Sequence, residues 1–344
     1  MTVGSAIGPD RLSEALGRPV RRVEVLDEAS NTTRRARLRV HFDTGGSINV
    51  FVKAPARSRL ARSAVALPGL AAAEVGFYQE IGRASPIRVP ACHYARSSGH
   101  DFLLVLEDLT STGACFGALG DAVPPAEVAD GLKALARLHG AYWEDGRLAS
   151  PSWPWCRRFV PGFEAVAGPL VGPALVQLGA RRAGAALPDD VGGRLTRYAR
   201  HRTSARRRLD QGPRTLVHHD CHPGNIARLS EGKVVLCDWQ LVRAGPWAAD
   251  VSYLMATALH EEDRRRHERE LLGLYLAELA AAGGRPPAEA VAWQQYVAHL
   301  VYPLEAMVIT LAFGAMQPPQ QVRRVVARAA AAVADHDAFG SQPG

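Results

Sequence analysis

One segment constrains this chain more than any other. It runs Leu216-Val217-His218-His219-Asp220-Cys221-His222-Pro223-Gly224-Asn225-Ile226, and thirteen residues after Asn225 comes Asp238, in Val234-Val235-Leu236-Cys237-Asp238-Trp239. Glu231-Gly232 is a turn dipeptide between two apolar runs, Ile226–Leu229 and Val234–Cys237. Pairing those runs about the turn sets Asn225 opposite Asp238 at the open end of a hairpin. Cross-strand neighbours lie about 4.5–5.5 Å apart. Two oxygen donors at that separation suit a shared Mg²⁺, which takes carboxylate, carbonyl and water oxygens. Asp220, five residues before Asn225 on the same loop, falls close to any phosphate that such a metal holds. An aspartate here also serves, in many loops, as a plain turn or cap residue.

The flanking sequence divides into a β-rich beginning and a helical remainder. Ala36, Leu38, Val40 and Phe42 alternate with Arg37, Arg39 and His41, the period of a half-buried strand. Asp43-Thr44-Gly45-Gly46 is a turn, and Ser47–Lys53 is the next strand, with Ile48, Val50 and Val52 on one face and Asn49, Phe51 and Lys53 on the other. A helix over 70–81 follows Pro68-Gly69. A hairpin about Ser97-Ser98-Gly99 joins strands 92–96 and 101–107, and Glu107-Asp108-Leu109 leaves the sheet. Beyond it, Leu132, Leu135, Leu138 and Tyr142 form the apolar stripe of a helix over 127–143. Arg-rich helical sequence spans about 160–210, and further helices are expected over 261–282, 287–315 and 319–336. The expected organisation is thus a region 1–109 and a helical region 110–344 that carries the loop at 216–240.

His218-x-Asp220, His222-Pro223-Gly224-Asn225 and Asp238-Trp239-Gln240 resemble the catalytic and metal loops of the aminoglycoside phosphotransferase and choline kinase superfamily. Phe51-Val52-Lys53, Leu106-Glu107-Asp108-Leu109 and Leu138-His139 before Tyr142-Trp143 strengthen the likeness, which covers roughly residues 20–310 and points most to the ecdysteroid-kinase-like branch. The resemblance implies an α+β, bilobal protein-kinase-like fold, with a small antiparallel β N-lobe containing one helix and a larger, mainly helical C-lobe. It also implies an ATP-dependent (or GTP-dependent) O-phosphotransferase that uses Mg²⁺.

Residue roles follow from the same likeness. Asp220 accepts the hydrogen bond, and then the proton, of the attacking hydroxyl. His218 braces the loop, whereas His219 and His222 are structural or peripheral. Asn225 and Asp238 hold the metal. Lys53 holds the α- and β-phosphates; the alternative is a solvated lysine at a strand end. Only three lysines stand against thirty-eight arginines, and a compact ammonium suits phosphate. Glu74 is the expected ion-pair partner of Lys53, with Glu80 the competitor. Phosphate cover is expected from Ala29-Ser30-Asn31-Thr32-Thr33, where Ser30 and Asn31 replace the glycines of a protein kinase. Glu107 and Leu109 should offer backbone groups to the adenine edge. Asp250 either anchors the catalytic loop or is a simple N-terminal helix carboxylate.

Charge narrows the partners. The net charge is +7, and ten arginines lie between Arg181 and Arg214 against only Asp189, Asp190 and Asp210. This stretch is either a solvated helix face or an anion-attracting patch. No zinc finger, helix-turn-helix or aromatic-basic interleaving supports nucleic-acid binding. Polycationic aminoglycosides call for acidic residues, so an Arg-rich lobe favours a neutral or anionic metabolite or antibiotic. Trp143, Trp153, Trp155 and Phe159 either line an apolar acceptor pocket or belong to the core. The run Asp238-Trp239-Gln240 is no DFG, and with no APE motif or activation loop, protein acceptors are disfavoured. The alternatives kept open are a catalytically silent nucleotide-binding scaffold and an aminoglycoside- or choline-type kinase. The five cysteines, odd in number, irregularly spaced and without a CxxC pair, suit reduced, mostly buried thiols rather than disulfides or zinc. The first 25 residues lack a secretory pattern, and Met307–Met316 is too short to span a bilayer. The expectation is a cytoplasmic monomer or homodimer away from membranes.

Overall fold

The computed structural model describes residues 7–30, 33–56, 69–99, 101–156, 161–230, 232–314 and 317–341. By internal contacts the chain forms two units, Met1–Cys115 with Arg228–Gln240, and Phe116–Ala227 with Leu241–Gly344. The sequence-based boundary after Leu109 lies six residues before the first crossing. The return of 228–240 to the first unit places Asp238 with the β-rich residues.

The first unit is an antiparallel sheet of five strands: β1 Val20–Ser30, β2 Thr33–Phe42, β3 Ser47–Pro55, β4 Cys92–Ser98 and β5 Asp101–Glu107, in the order β1-β2-β3-β5-β4. Its register follows the alternation of the sequence, with Leu38 opposite Val50, and Val52 opposite both Ala36 and Val105. These residues bury one face against Ile7 and Leu12, the latter on helix α1 Pro9–Leu16. Period-two alternation turns the neighbours Arg35, Arg37, Phe51, Lys53, Leu104 and Leu106 to the opposite face. Helix α2 Leu70–Glu80 buries Val75, Phe77 and Tyr78. Helix α1 escaped the sequence reading because a two-turn helix shows too little period to be read.

The second unit is helical. It comprises α3 Pro125–Ala141, α4 Pro161–Ala183, α5 Asp189–Leu209, α6 Ala248–Ala258, α7 Glu261–Ala281, α8 Glu289–His299, α9 Val301–Phe313 and α10 Pro319–Asp335. The expected single helix over 287–315 is two helices. Pro303 has no N–H to return to the carbonyl of His299, so the ladder breaks at Leu300. The run Glu289–Phe313 is long and apolar enough to cross a membrane, yet 72% of its most apolar window is buried inside the protein, as in a core helix. Helix α4 packs on α9 through Gly179, where a Cβ would meet the Val308 carbonyl oxygen at 1.9 Å; only glycine permits that approach.

The Arg-rich stretch has a specific structure. Helix α5 buries Val191, Leu195, Ala199, Ala205 and Leu209, and it exposes Arg197, Arg200, Arg207 and Arg208 to water. Other arginines are ties. Arg202 and Arg206 pair with the buried Glu305 of α9 at 2.9 and 3.1 Å, Arg182 donates to the carbonyls of Leu311 and Ala312, and Arg194 pairs with Asp337.

Candidate active site

In the first unit, Lys53 sits near the end of β3 with 3% of its surface exposed, too buried for the solvated alternative. Its ammonium lies 2.5 Å from Glu74 Oε2 and 2.8 Å from Asp238 Oδ1. Glu74 is itself 2% exposed, whereas the competing Glu80 is exposed at the end of α2. Burial pushes the Glu74 carboxyl up and the Lys53 ammonium draws it back. An ammonium so deeply buried requires a carboxylate partner. Glu74→Gln is therefore expected to cost about 3–5 kcal/mol and to weaken nucleotide binding, with Glu80→Gln near wild type in both. Parallel thermal melts and ATP titrations check this.

Asp238 is held in place by its neighbours in sequence. Trp239 is fully buried, its indole N–H donates to the Leu236 carbonyl at 3.1 Å, and its ring stacks on Phe77 with centroids 3.9 Å apart and planes 9° from parallel. Phe77 is three residues beyond Glu74 on α2, on the same side of the helix. One stacked pair therefore fixes Asp238 against the helix that supplies Glu74. Asp238 adopts a left-handed backbone, φ 63°, which a non-glycine residue holds only where its surroundings enforce it. Its second oxygen, Oδ2, accepts from Arg35 at 3.3 Å. The turn before it closes with the Leu229 amide on the Lys233 carbonyl and the Gly232 amide on the Leu229 carbonyl.

The sheet exit is ordered by two acids. Asp108, 2% exposed, takes three hydrogen bonds of 3.0–3.1 Å from the Arg37 guanidinium. Glu107 is bound by Arg88 through both oxygens at 2.6 Å and by the Ala91 amide at 2.9 Å. Burial raises the Glu107 carboxyl, but these donors outweigh it and hold it below the usual range. The Glu107 amide is taken by the Ala91 carbonyl, whereas the Leu109 amide makes no hydrogen bond among the described residues. Of the expected phosphate cover, Asn31 lies outside the described residues, and only the backbone of Ser30 is described, as the end of β1.

In the second unit the loop at 218–225 is organised by Asp250, fully buried in the first turn of α6. Its oxygens accept from the amides of His218 and His219, each at 2.7 Å, and His139 Nε2 lies 3.2 Å away. His219 has φ 68°, so two successive amides point at one carboxylate only because the backbone turns left-handed there. The Tyr302 hydroxyl donates to the His219 carbonyl at 2.7 Å and accepts from its Nδ1 at 2.6 Å. Burial, helped by Arg243 and Arg206, keeps His219 well below the usual histidine range and thus neutral.

Both Asp220 oxygens are held. Oδ1 accepts from Tyr253 at 2.8 Å and Oδ2 from Asn225 Nδ2 at 3.1 Å, and Nδ2 also reaches the Asp220 carbonyl at 2.9 Å. The Asp220 amide donates to His218 Nδ1 at 3.2 Å. With its amide nitrogen spent on Asp220, Asn225 keeps its carbonyl oxygen for another ligand. That oxygen and the Asp238 carboxylate are hard donors of the type Mg²⁺ takes, alongside waters and phosphate oxygens. Among the described residues no group of three or more His, Cys, Asp or Glu side chains could hold a metal ion.

The structure thus brings Lys53, Glu74 and Asp238 together in one unit, and His218, Asp220, Asn225 and Asp250 in the other. Arg35, Phe77 and Tyr253 are additions. Tyr253 stands three residues after Asp250 on one helix face, a spacing visible in the sequence. Arg35 is found only through the β2–β3 register, which sets it opposite Lys53. Trp153 is buried, with its ring 5.4 Å from Trp155 and 6.2 Å from Tyr142, which is core packing; Phe159 lies outside the described residues.

Comparison with known proteins adds an independent finding. The model of the phosphotransferase enzyme family matches residues 39–291. No curated protein sequence matches the chain. Among solved structures, a fructosamine-3-kinase of Thermobifida fusca shares 22% identity, covering 94% of this chain and 97% of its own, with a TM-score of 0.50. A microcompartment-associated aminopropanol kinase shares 13% identity over 98% of both chains, with a TM-score of 0.57. LicA in complex with AMP shares 13% identity over 98% of this chain and 99% of its own, with a TM-score of 0.50. At these identities the likeness is one of fold, a β-sheet unit and a helical unit of protein-kinase-like type.

Proposed function

The chain belongs to the phosphotransferase enzyme family, and from that premise we propose that it transfers the γ-phosphate of Mg-ATP to a hydroxyl of a neutral or anionic small molecule. It is a small-molecule phosphotransferase; the donor, the metal and the acceptor class are what this reading adds. The observation that carries it is the buried ion triad of Lys53, Glu74 and Asp238. An ammonium oriented by one acid beside a second acid, at the end of a sheet strand, is suited to phosphates that arrive with a cation.

Each residue then has a defined task. Lys53 neutralises the α- and β-phosphate oxygens. Asn225 and Asp238 are the residues that would hold Mg²⁺, which supplies charge neutralisation for the transferring phosphoryl group. Asp220 orients the acceptor hydroxyl and takes its proton. The Leu109 amide, with the carbonyl of Glu107, serves the adenine edge, while Ser30 and Asn31 cover the phosphates. His218 and Asp250 fix the loop that carries Asp220. Acceleration comes from positioning and electrostatics, as in a loose phosphoryl-transfer transition state.

The preference for a neutral or anionic acceptor rests on charge. Glu305, a buried acid of α9, is already bound by Arg202 and Arg206, and so it is not free to attract a polyamine. Transfer of labelled γ-phosphate from ATP or GTP, with and without Mg²⁺, to sterols, macrolides, nucleosides, sugars, choline and aminoglycosides tests the reading. Metal-dependent transfer from ATP to one neutral or anionic class is the expected result. An aminoglycoside as best acceptor would overturn the charge argument. Binding of Mg-ATP with no transfer to any acceptor would favour the silent scaffold, and no binding would overturn the proposal itself.

A further inference from the structure

Arg35 has no place in the roles assigned above, yet its guanidinium is part of the Lys53 cluster. It lies on β2 with its Cα opposite that of Lys53, its Nη2 is 3.3 Å from Asp238 Oδ2, and its Nε is 3.3 Å from Thr33 Oγ1. Asp238 therefore gives one oxygen to Lys53 and the other to Arg35. Each oxygen could accept a hydrogen bond and bind a metal at once, but a divalent cation at this carboxylate repels the two cations already beside it, which favours release of one of these contacts.

Geometry decides which. The Lys53 contact is short, at 2.8 Å, and the lysine side chain is 4% exposed, whereas the Arg35 contact is 3.3 Å and its side chain is 36% exposed. Lys53 is also fixed from behind by a hydrogen bond to Glu74, whereas among the described residues the second hydrogen bond of the Arg35 side chain goes to the neutral Thr33 hydroxyl. The guanidinium is on the longer side chain and is the more solvated of the two cations, so it loses less on moving. Once released, it carries planar paired donors that match phosphate oxygens. The sequence expected to cover the phosphates, Ala29-Ser30-Asn31-Thr32-Thr33, contains no glycine. Arg35, two residues beyond Thr33, is a side-chain donor beside that sequence.

We propose that Arg35 is a phosphate-binding residue that exchanges the Asp238 carboxylate for the terminal phosphates of the nucleotide when metal and nucleotide arrive together. The inference rests on the reading of this cluster as a Mg-ATP site. In the resting cluster Arg35 offsets the Asp238 charge; in the loaded one it offsets phosphate charge, leaving the carboxylate to the cation.

The test is a binding measurement on the full chain, comparing wild type with Arg35→Leu and Arg35→Lys. Isothermal titration with Mg-ATP and with adenosine separates phosphate contacts from contacts to the base. Arg35→Leu is expected to weaken Mg-ATP by about 10- to 100-fold, the worth of one or two charge-assisted hydrogen bonds, with adenosine affinity unchanged. Arg35→Lys should fall between, since it keeps the charge and loses the planar fork. Equal Mg-ATP affinity in wild type and Arg35→Leu would overturn the proposal and leave Arg35 as a partner of Asp238 alone. Parallel loss for ATP and adenosine would overturn it too, by showing general damage to the site. Wild-type protein that binds no Mg-ATP would instead sink the underlying nucleotide reading.

Discussion

Asp220→Asn is expected to lower the melting temperature only modestly and to leave Mg-ATP affinity close to wild type while lowering kcat by about 10²- to 10⁴-fold, the range for loss of a positioned general base. The substitution is nearly isosteric, and its surroundings can receive it. Tyr253 now donates to Oδ1 and Asn225 to Oδ2. In the variant the carboxamide oxygen accepts from Asn225, and its NH₂ donates to a Tyr253 hydroxyl that has only to rotate. The hydroxyl hydrogen of the buried Tyr253 is the one donor left without its acceptor, a loss of about 1–3 kcal/mol. What disappears is the site that takes the proton from the acceptor hydroxyl. Steady-state kinetics with a saturating acceptor, together with ATP titration and a thermal melt, check the claim. A variant with wild-type kcat would remove Asp220 from proton transfer, and one that loses stability while kcat barely falls would make its role structural.

How much of this was legible beforehand depended on whether a residue's partner lies on its own element. The strand alternation over 36–42 and 47–53 and the apolar stripe of 127–143 were readable because burial there follows the local period; β2 begins three residues earlier, β3 ends two later, and α3 is shifted two residues towards the N-terminus. The choice of Glu74 over Glu80 was not fixed by spacing, since both fall on α2; only burial separates them. Arg35 and Phe77 were invisible because their partners, Asp238 and Trp239, lie about 200 and 160 residues away in sequence. The Arg-rich stretch misleads as composition alone, because half of its meaning lies in Glu305, Leu311 and Ala312 of α9, to which its arginines are tied. Chemistry clustered on one loop could be read from order and spacing, whereas chemistry assembled by long-range packing could not.

Asp250→Ala is expected to damage both stability and turnover without touching any substrate. Asp250 is fully buried and accepts from two consecutive amides at 2.7 Å, with His139 at 3.2 Å. Removing it strands two buried N–H donors, each costing about 1–3 kcal/mol, and withdraws the partner of a buried histidine. The combined loss should reach about 3–5 kcal/mol, the scale of a broken buried polar network. It should not stay local. His219 holds a left-handed backbone that depends on those amide bonds, and Asp220 is the next residue. Relaxation of that backbone misplaces the Asp220 carboxylate, so kcat falls by about 10- to 100-fold even in molecules that remain folded, since small misplacement costs rate steeply. Asp250→Asn separates anchor from helix-end charge. Its single carboxamide oxygen can accept from one amide, but its NH₂ then faces the other donor, so most of the loss should persist. A plain N-terminal helix carboxylate predicts instead a loss of about 0.3–1 kcal/mol in either variant, with kcat unchanged. Thermal melts of both variants beside Asp220→Asn, with kcat measured well below each midpoint, distinguish these cases: an anchor lowers melting temperature strongly along with kcat, whereas the base lowers kcat far more than melting temperature.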